Sequence, residues 1–146
     1  MPFEQQISTI HDLLHRFDSS NTSIIANSYG AYLLTSAFID KPAIASQVLL
    51  LSPLLGLTLV EEEMFYSRPP NQQSWSEALE QGRMTKPRYL EVCAGELDSG
   101  ACSPTVVLEF SELIKADQVQ LIPEQGHQLA PSAVQSVVGL FLTQTG

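Results

Sequence analysis

The feature that most limits the fold of this chain is a short strand that runs into a helix through a serine. Residues 22–26 are mostly β-branched, and residues 29–39 have the composition of a largely buried helix. Ser28 stands between them, with the small residues Ala26 and Gly30 two positions to either side. Bulk at those positions is expected to clash across an abrupt turn. We therefore predict that the Ser28 hydroxyl is exposed at a strand's carboxyl end; an ordinary turn with Ser28 as the helix N-cap is the alternative.

The rest of the chain alternates between helical and extended patterns. The expected elements, in chain order, are a helix over 3–17, a strand over 22–26, a helix over 29–39, strands over 47–52 and 88–94, a helix opened by Ser103 and Pro104, a strand over 118–122 and a helix over 131–142. The run over 47–52 is apolar without alternation, as in a strand buried on both faces. The order predicts an α/β fold with a mostly parallel sheet of about four strands flanked by helices.

Residues 54–87 differ in character from the segments around them. They contain three consecutive glutamates at 61–63, the aromatic pair Phe65 and Tyr66, two prolines at 69–70 and a helix-like stretch over 74–81. We interpret this segment as a small helical, lid-like insertion that leaves the sheet and returns to it. The 146 residues are the size of one domain, so residues 1–146 are expected to form a single domain that includes the insertion.

Charge and composition exclude several classes of function. The formal net charge of −9 disfavours binding to nucleic acid or to an anionic membrane surface. No segment has the length and hydropathy of a membrane span, and the first residues lack the basic start and apolar stretch of a secretion signal. Two cysteines, Cys93 and Cys102, do not make a disulfide framework. A cytoplasmic location is the resulting expectation.

A nucleophilic serine needs a base and a group that orients the base, and two loops offer them. His127 follows the last predicted strand in a glycine-containing loop, at the sheet edge where Ser28 is expected. Asp98 lies in the loop after the preceding strand and is our candidate for orienting His127. Glu96, in the same loop, is the second candidate. A plain turn also explains the sequence Asp-Ser-Gly.

The other two histidines carry no comparable signal. His11 and His15 are four residues apart on the first predicted helix, a spacing that can place two metal ligands on one face. No further ligand joins them in a recognisable pattern, and a solvated polar face explains them better. No metal site is predicted.

Ser28, Asp98 and His127 each follow a different predicted strand, at one edge of one sheet, in the chain order Ser, Asp, His. In this order and setting the chain resembles the α/β-hydrolase superfamily. By position, Ala-Asn-Ser-Tyr-Gly around Ser28 matches the nucleophile elbow, Gly-Glu-Leu-Asp the acid loop and Gln-Gly-His the histidine loop. The resemblance spans most of residues 1–142, with 54–87 where the family usually inserts its cap.

The chain departs from the α/β-hydrolase pattern in one respect. Family members normally carry about four strands before the elbow, and a loop after one of them donates half of the oxyanion hole. Here only a helix precedes the elbow, so the backbone N–H of Tyr29 is the one donor that the sequence indicates. The elbow strand is then expected at an open sheet edge. A minimal form closed by the first helix, pairing with another copy, or a fragment that lacks its front half would each account for this; our hypothesis is self-association.

The resemblance implies a small serine hydrolase that cleaves an ester, thioester or related acyl compound, with no cofactor. Ser28 is the nucleophile, His127 the general base and Asp98 the orienting acid. An apolar acyl pocket is expected from four further residues, which are Leu54, Leu55, Phe65 and Tyr66. A non-catalytic hydrolase-like binding module and an acyltransferase with the same residues are the alternatives.

Overall fold

The computed structural model describes residues 2–56 and 72–144, and within these ranges strands and helices alternate as the sequence predicts. The helices are α1 (Phe3–Phe17), α2 (Tyr29–Ala37), α3 (Gln72–Glu80), α4 (Pro104–Ile114) and α5 (Pro131–Leu142), with one 3-10 turn at Gly100–Cys102. The strands are β1 (Ser23–Asn27), β2 (Gln47–Leu51), β3 (Tyr89–Gly95) and β4 (Gln118–Ile122). Each bound lies within two residues of its predicted position, and Ser103 caps α4 by accepting a hydrogen bond from the Val106 N–H.

The four strands form one parallel sheet in the order β1-β2-β3-β4. All five residues of β2 are buried, which confirms that its unbroken apolar run belongs to a strand covered on both faces. Because every strand runs in the same direction, their carboxyl ends meet at one edge of the sheet. The loops that follow β1, β3 and β4 therefore lie next to one another.

Helices cover both faces of the sheet. The larger apolar cluster joins one face to α1, α2, α3 and α4. At its centre the Trp75 ring packs edge-on against Phe110 with centroids 5.2 Å apart, and its indole N–H donates to the Leu55 carbonyl over 2.7 Å. On the other face, Val137 and Phe141 of α5 pack in a smaller cluster with β2 and β3 side chains. In the described parts of the chain, no helix is long and apolar enough to cross a membrane.

The first helix is fastened to its neighbours by polar contacts as well as by packing. A ring nitrogen of His11 lies 3.1 Å from the Ala37 carbonyl oxygen at the end of α2, so His11 is half-buried and not part of a solvated face as the sequence had indicated. His15 is exposed. At the end of α1, the Asp18 carboxylate accepts hydrogen bonds from the Ala45 and Ser46 backbone N–H groups and the Ser46 hydroxyl.

The predicted insertion over 54–87 is described at its two ends, while residues 57–71 lie outside the described residues. Helix α3 corresponds to the stretch predicted at 74–81 and packs against α2 and α4, with Trp75 in the core. Met84 then pairs with Ile39 in an isolated bridge. The described second half of this segment is therefore part of the helical layer that covers the sheet.

The elbow strand β1 lies at the edge of the sheet. Within the described residues no strand pairs with its outer side, as the sequence led us to expect. Ile25 is 43% exposed there, and Leu13 and Phe17 of α1 are 46% and 57% exposed beside it. A groove of about 400 Å³ runs between α1 and β1 along this edge.

Candidate active site

The backbone at Ser28 makes the sharp turn that joins β1 to α2. Its φ of 52° and ψ of −110° lie in a region that residues other than glycine rarely adopt. The Ser28 N–H donates to the Leu51 carbonyl over 2.8 Å, and the Ser28 carbonyl accepts from the Tyr32 N–H over 3.0 Å. Ser28 occupies the N-cap position of α2, as the alternative expected, but its side chain makes no capping hydrogen bond. The hydroxyl is directed away from the helix, to His127.

The two small residues that flank the serine have different roles. Ala26 is buried against the helical layer, where a larger side chain has little room. A Cβ built on Gly30, in contrast, meets no heavy atom within 4 Å. The expectation of a clash across the turn is therefore wrong at Gly30, because this position is open to solvent.

The three side chains proposed from the sequence lie together at the carboxyl edge of the sheet. The Ser28 Oγ is 2.8 Å from the Nε2 of His127, and the Nδ1 of His127 is 3.0 Å from an Asp98 carboxylate oxygen. The other Asp98 oxygen accepts from the Ser99 backbone N–H over 2.8 Å. With the ring proton on Nδ1, His127 donates to Asp98 and accepts from Ser28.

Asp98, the acid that is hydrogen-bonded to His127, is shielded from solvent, whereas His127, the base, is accessible. The Asp98 side chain is only 4% exposed, whereas that of His127 is 45% exposed. A shielded carboxylate interacts strongly with an adjacent imidazolium, while the open ring face leaves space for a substrate. Glu96, the second candidate from the sequence, is exposed, and its backbone N–H pairs with the Ile122 carbonyl.

The loop that carries His127 is positioned by contacts that the sequence analysis missed. A Cβ on Gly95 would lie 2.3 Å from the carbonyl oxygens of both Gln125 and Gly126, so the histidine loop crosses the end of β3 where only glycine fits. The Ser52 hydroxyl donates to the His127 carbonyl over 2.8 Å. A glycine that ends a strand directly before the acid loop is the one signal that points to this close approach.

Asp98, Cys102 and His127 also form a group whose possible ligand atoms lie within 4.8 Å of one another, in the part of the chain that the structure describes. A metal ion here would need the Nδ1 of His127 and the carboxylate of Asp98, which already bond to each other. The Cys102 thiol is buried and donates to the Ser52 carbonyl over 3.7 Å. The hydrogen-bonded relay and a metal site therefore exclude each other.

A groove of about 940 Å³ opens beside Ser28 and His127. It is bordered by Asn27 and Leu51 at the ends of β1 and β2 and by one side of α5. Asn27 is exposed at the edge of the sheet and was not foreseen as a site residue. The Tyr29 backbone N–H belongs to the first turn of α2, at the positive end of the helix dipole.

The residues expected to form an acyl pocket do not border this groove where the structure describes them. Leu54 is half-buried, and Leu55 is fully buried in the larger apolar cluster under Trp75. Phe65 and Tyr66 lie outside the described residues. Among the described residues, the apolar surface beside Ser28 comes instead from α5, the loop before it and Leu51 at the end of β2.

Comparisons with known proteins agree with this architecture. No family model and no curated protein matches the sequence. Among solved structures, a monoacylglycerol lipase from Paleococcus ferrophilus superposes with a TM-score of 0.69 at 10% identity, over 98% of this chain and 76% of the lipase. The meta-cleavage product hydrolase of Pseudomonas fluorescens IP01 gives a TM-score of 0.69 at 12% identity, over 100% of this chain and 73% of that enzyme.

A third structure, the esterase PE8, gives a TM-score of 0.61 at 13% identity. The match covers 97% of this chain but 59% of the esterase, so the chain spans less than two thirds of that protein. At such identities the likeness concerns the arrangement of strands and helices. The protein therefore has an α/β-hydrolase fold.

Proposed function

We propose that this protein is a serine hydrolase that cleaves an ester, a thioester or a related acyl compound through an acyl-enzyme. The observation that carries the proposal is the unbroken hydrogen-bonded path from Ser28 through His127 to Asp98, with Ser28 at the mouth of a groove. The fold supports it, because the solved structures that superpose on the chain include a lipase, an esterase and a hydrolase.

In the first half of the reaction Ser28 attacks the acyl carbonyl carbon. His127 Nε2 takes the hydroxyl proton as the bond forms, and Asp98 stabilises the resulting imidazolium through Nδ1. The tetrahedral intermediate collapses when His127 returns the proton to the leaving group, and the acyl group stays on Ser28. This sequence requires no metal or organic cofactor.

The negative charge on the tetrahedral oxygen needs donors in front of Ser28. The Tyr29 backbone N–H supplies one, assisted by the N-terminal end of α2. The side-chain amide of Asn27 is the second donor in our proposal, because Asn27 is exposed, borders the same groove and directly precedes the nucleophile. Each oxyanion donor is typically worth two to three orders of magnitude in rate, about 3–4 kcal/mol.

In the second half, water attacks the acyl-enzyme with His127 as the base. An acyltransferase would form the same intermediate and differ in the acceptor that releases the acyl group. A non-catalytic binding module would keep the fold and the groove but form no intermediate. We propose hydrolysis among the three because the ring of His127 is exposed to water, which is the most abundant acceptor.

Turnover of p-nitrophenyl acetate tests this proposal. The wild-type protein should release nitrophenol above the background rate, and Ser28→Ala and His127→Ala should each lose at least a thousandfold while remaining folded. Ser20→Ala, which removes an exposed hydroxyl distant from the site, is the matched control and should retain full activity. Activity that survives in Ser28→Ala would contradict the assignment of the nucleophile.

A further inference from the structure

One side of α5 forms the wall of the groove that leads away from Ser28. Pro131, Val134, Gln135 and Val138 border it, and their spacing of three, four and seven residues places them on one face of the helix. This face extends for about 10 Å along the axis, the length of an extended alkyl chain of about eight carbons. The groove is therefore elongated beside the nucleophile.

The lining of the groove is mostly apolar and almost uncharged. The largely buried Leu51 and Leu129 also border it. No lysine, arginine, aspartate or glutamate borders it among the described residues, and His127 is its one titratable group. A charged ligand tail would lose its hydration there without gaining a counter-ion, and the net charge of −9 would repel an anion.

We propose that the groove binds an uncharged, unbranched acyl chain of about six to ten carbons. The carbonyl lies at Ser28 and the chain runs along α5 over Leu129, Val134 and Val138. This inference rests on the proposed hydrolase function and adds its substrate class, a neutral medium-chain acyl ester. Each methylene that the groove covers on one side should raise kcat/KM about twofold, which corresponds to half the free energy of full burial, until the groove is filled.

Gly139 provides a way to block the groove without disturbing the core. It borders the groove, and a Cβ built on it meets no heavy atom within 4 Å. Gly139→Leu therefore projects a side chain into open space. Ser136→Leu places the same side chain at an exposed position of α5 that does not border the groove, and serves as the matched control.

The experiment measures kcat/KM for p-nitrophenyl esters from acetyl to dodecanoyl. The wild-type protein and Ser136→Leu should prefer octanoyl to acetyl esters by at least tenfold. Gly139→Leu should lower octanoyl hydrolysis at least tenfold, and the ratio of octanoyl to acetyl kcat/KM should fall with it. The p-nitrophenyl monoester of suberic acid, which has the same chain length and a terminal carboxylate, should react at least tenfold more slowly than the octanoyl ester. A chain-length profile that Gly139→Leu leaves unchanged would overturn the inference.

Binding to an inactive variant separates this inference from the proposed hydrolysis. Ser28→Ala should bind monooctanoylglycerol in a calorimetric titration, and Ser28→Ala combined with Gly139→Leu should bind it at least tenfold more weakly. Binding of this kind in a protein that hydrolyses no ester would overturn the hydrolase function and keep the acyl groove. Hydrolysis of the acetyl ester without binding of monooctanoylglycerol would overturn the acyl groove and keep the hydrolase function.

Discussion

The Ser28 Oγ and the His127 Nε2 lie 2.8 Å apart although 99 residues separate them in the chain. The parallel sheet brings them together, because β1 and β4 end at the same edge; Ser28 directly follows β1, and His127 lies in the loop after β4. The strained turn at Ser28 and the crossing of the histidine loop over Gly95 then determine how close the two side chains come. The contact therefore depends on two local backbone features as well as on the fold.

Gly95→Ala should damage the site more than the fold. The added methyl group would lie 2.3 Å from two backbone carbonyl oxygens of the histidine loop, so the loop must move and the Ser28–His127 hydrogen bond lengthens. We expect at least a tenfold loss of kcat for p-nitrophenyl acetate. Gly30→Ala is the control, since a Cβ there meets nothing within 4 Å, and its activity should stay within twofold of wild type. Equal activities of the two variants would show that Gly95 does not position His127.

Asn27→Ala should lower kcat about a hundredfold and leave KM nearly unchanged, because the lost hydrogen bond exists only when charge develops on the oxyanion. Asn27→Asp, which places a negative charge in the same position, should be slower still. Steady-state kinetics on acetyl and octanoyl esters provide the measurement. A kcat within threefold of wild type in Asn27→Ala would assign the second donor elsewhere.

Asp18 should contribute stability that depends on pH. Burial favours a higher pKa for this carboxyl, but the hydrogen bonds from Ser46 and Ala45 and the nearby Lys41 outweigh it and lower the pKa below its ordinary value. A carboxyl with a lowered pKa in the folded state stabilises the fold above its unfolded pKa, and this stabilisation is lost as the pH falls through the folded pKa. Asp18→Asn should therefore reduce the free energy of unfolding by about 1–2 kcal/mol at pH 7.

Urea unfolding at several pH values measures this contribution. The difference between wild type and Asp18→Asn should begin to shrink as the pH falls below about 4, where the unfolded carboxyl takes up a proton, and should be lost below the lowered pKa of the folded carboxyl. A difference that stays constant from pH 7 to pH 3 would mean that the charge of Asp18 has no part in its hydrogen bonds.

The open edge of β1 should lead to self-association. Two copies related by a twofold axis can pair their β1 edges antiparallel, and the exposed Leu13, Phe17 and Ile25 would then be covered. We expect sedimentation velocity to give a dimer for the wild-type protein and a monomer for Ile25→Lys. Leu108→Lys, at an equally exposed position of α4, should remain a dimer. A monodisperse wild-type monomer would contradict this arrangement.

Local patterns predicted most of the fold because each element carries its own signal. The apolar run of β2, the spacing of apolar residues in α1 and the Ser103–Pro104 start of α4 needed no knowledge of the partners they pack against. The candidate site followed from the rule that parallel strands end at a common edge.

Contacts between distant segments could not be read in this way. Gly95 matters because a loop some thirty residues later crosses it, and nothing near Gly95 in the sequence encodes that crossing. Leu55 looked like a pocket residue because it is apolar and follows a strand, yet Trp75 covers it in the core. Asn27 is exposed beside the groove at the end of the edge strand β1. A strand's place in the sheet depends on segments that are distant in the sequence.

Labelling with a fluorophosphonate, followed by mass spectrometry of the modified peptide, is the most direct test of the hydrogen-bonded path from Ser28 through His127 to Asp98. A phosphonyl group transfers to a serine only when its hydroxyl is activated by a neighbouring base. We expect one label per folded chain, attached to Ser28, and at least a hundredfold slower labelling in His127→Ala. A folded wild-type protein that takes up no label, or His127→Ala labelled at the wild-type rate, would contradict the account.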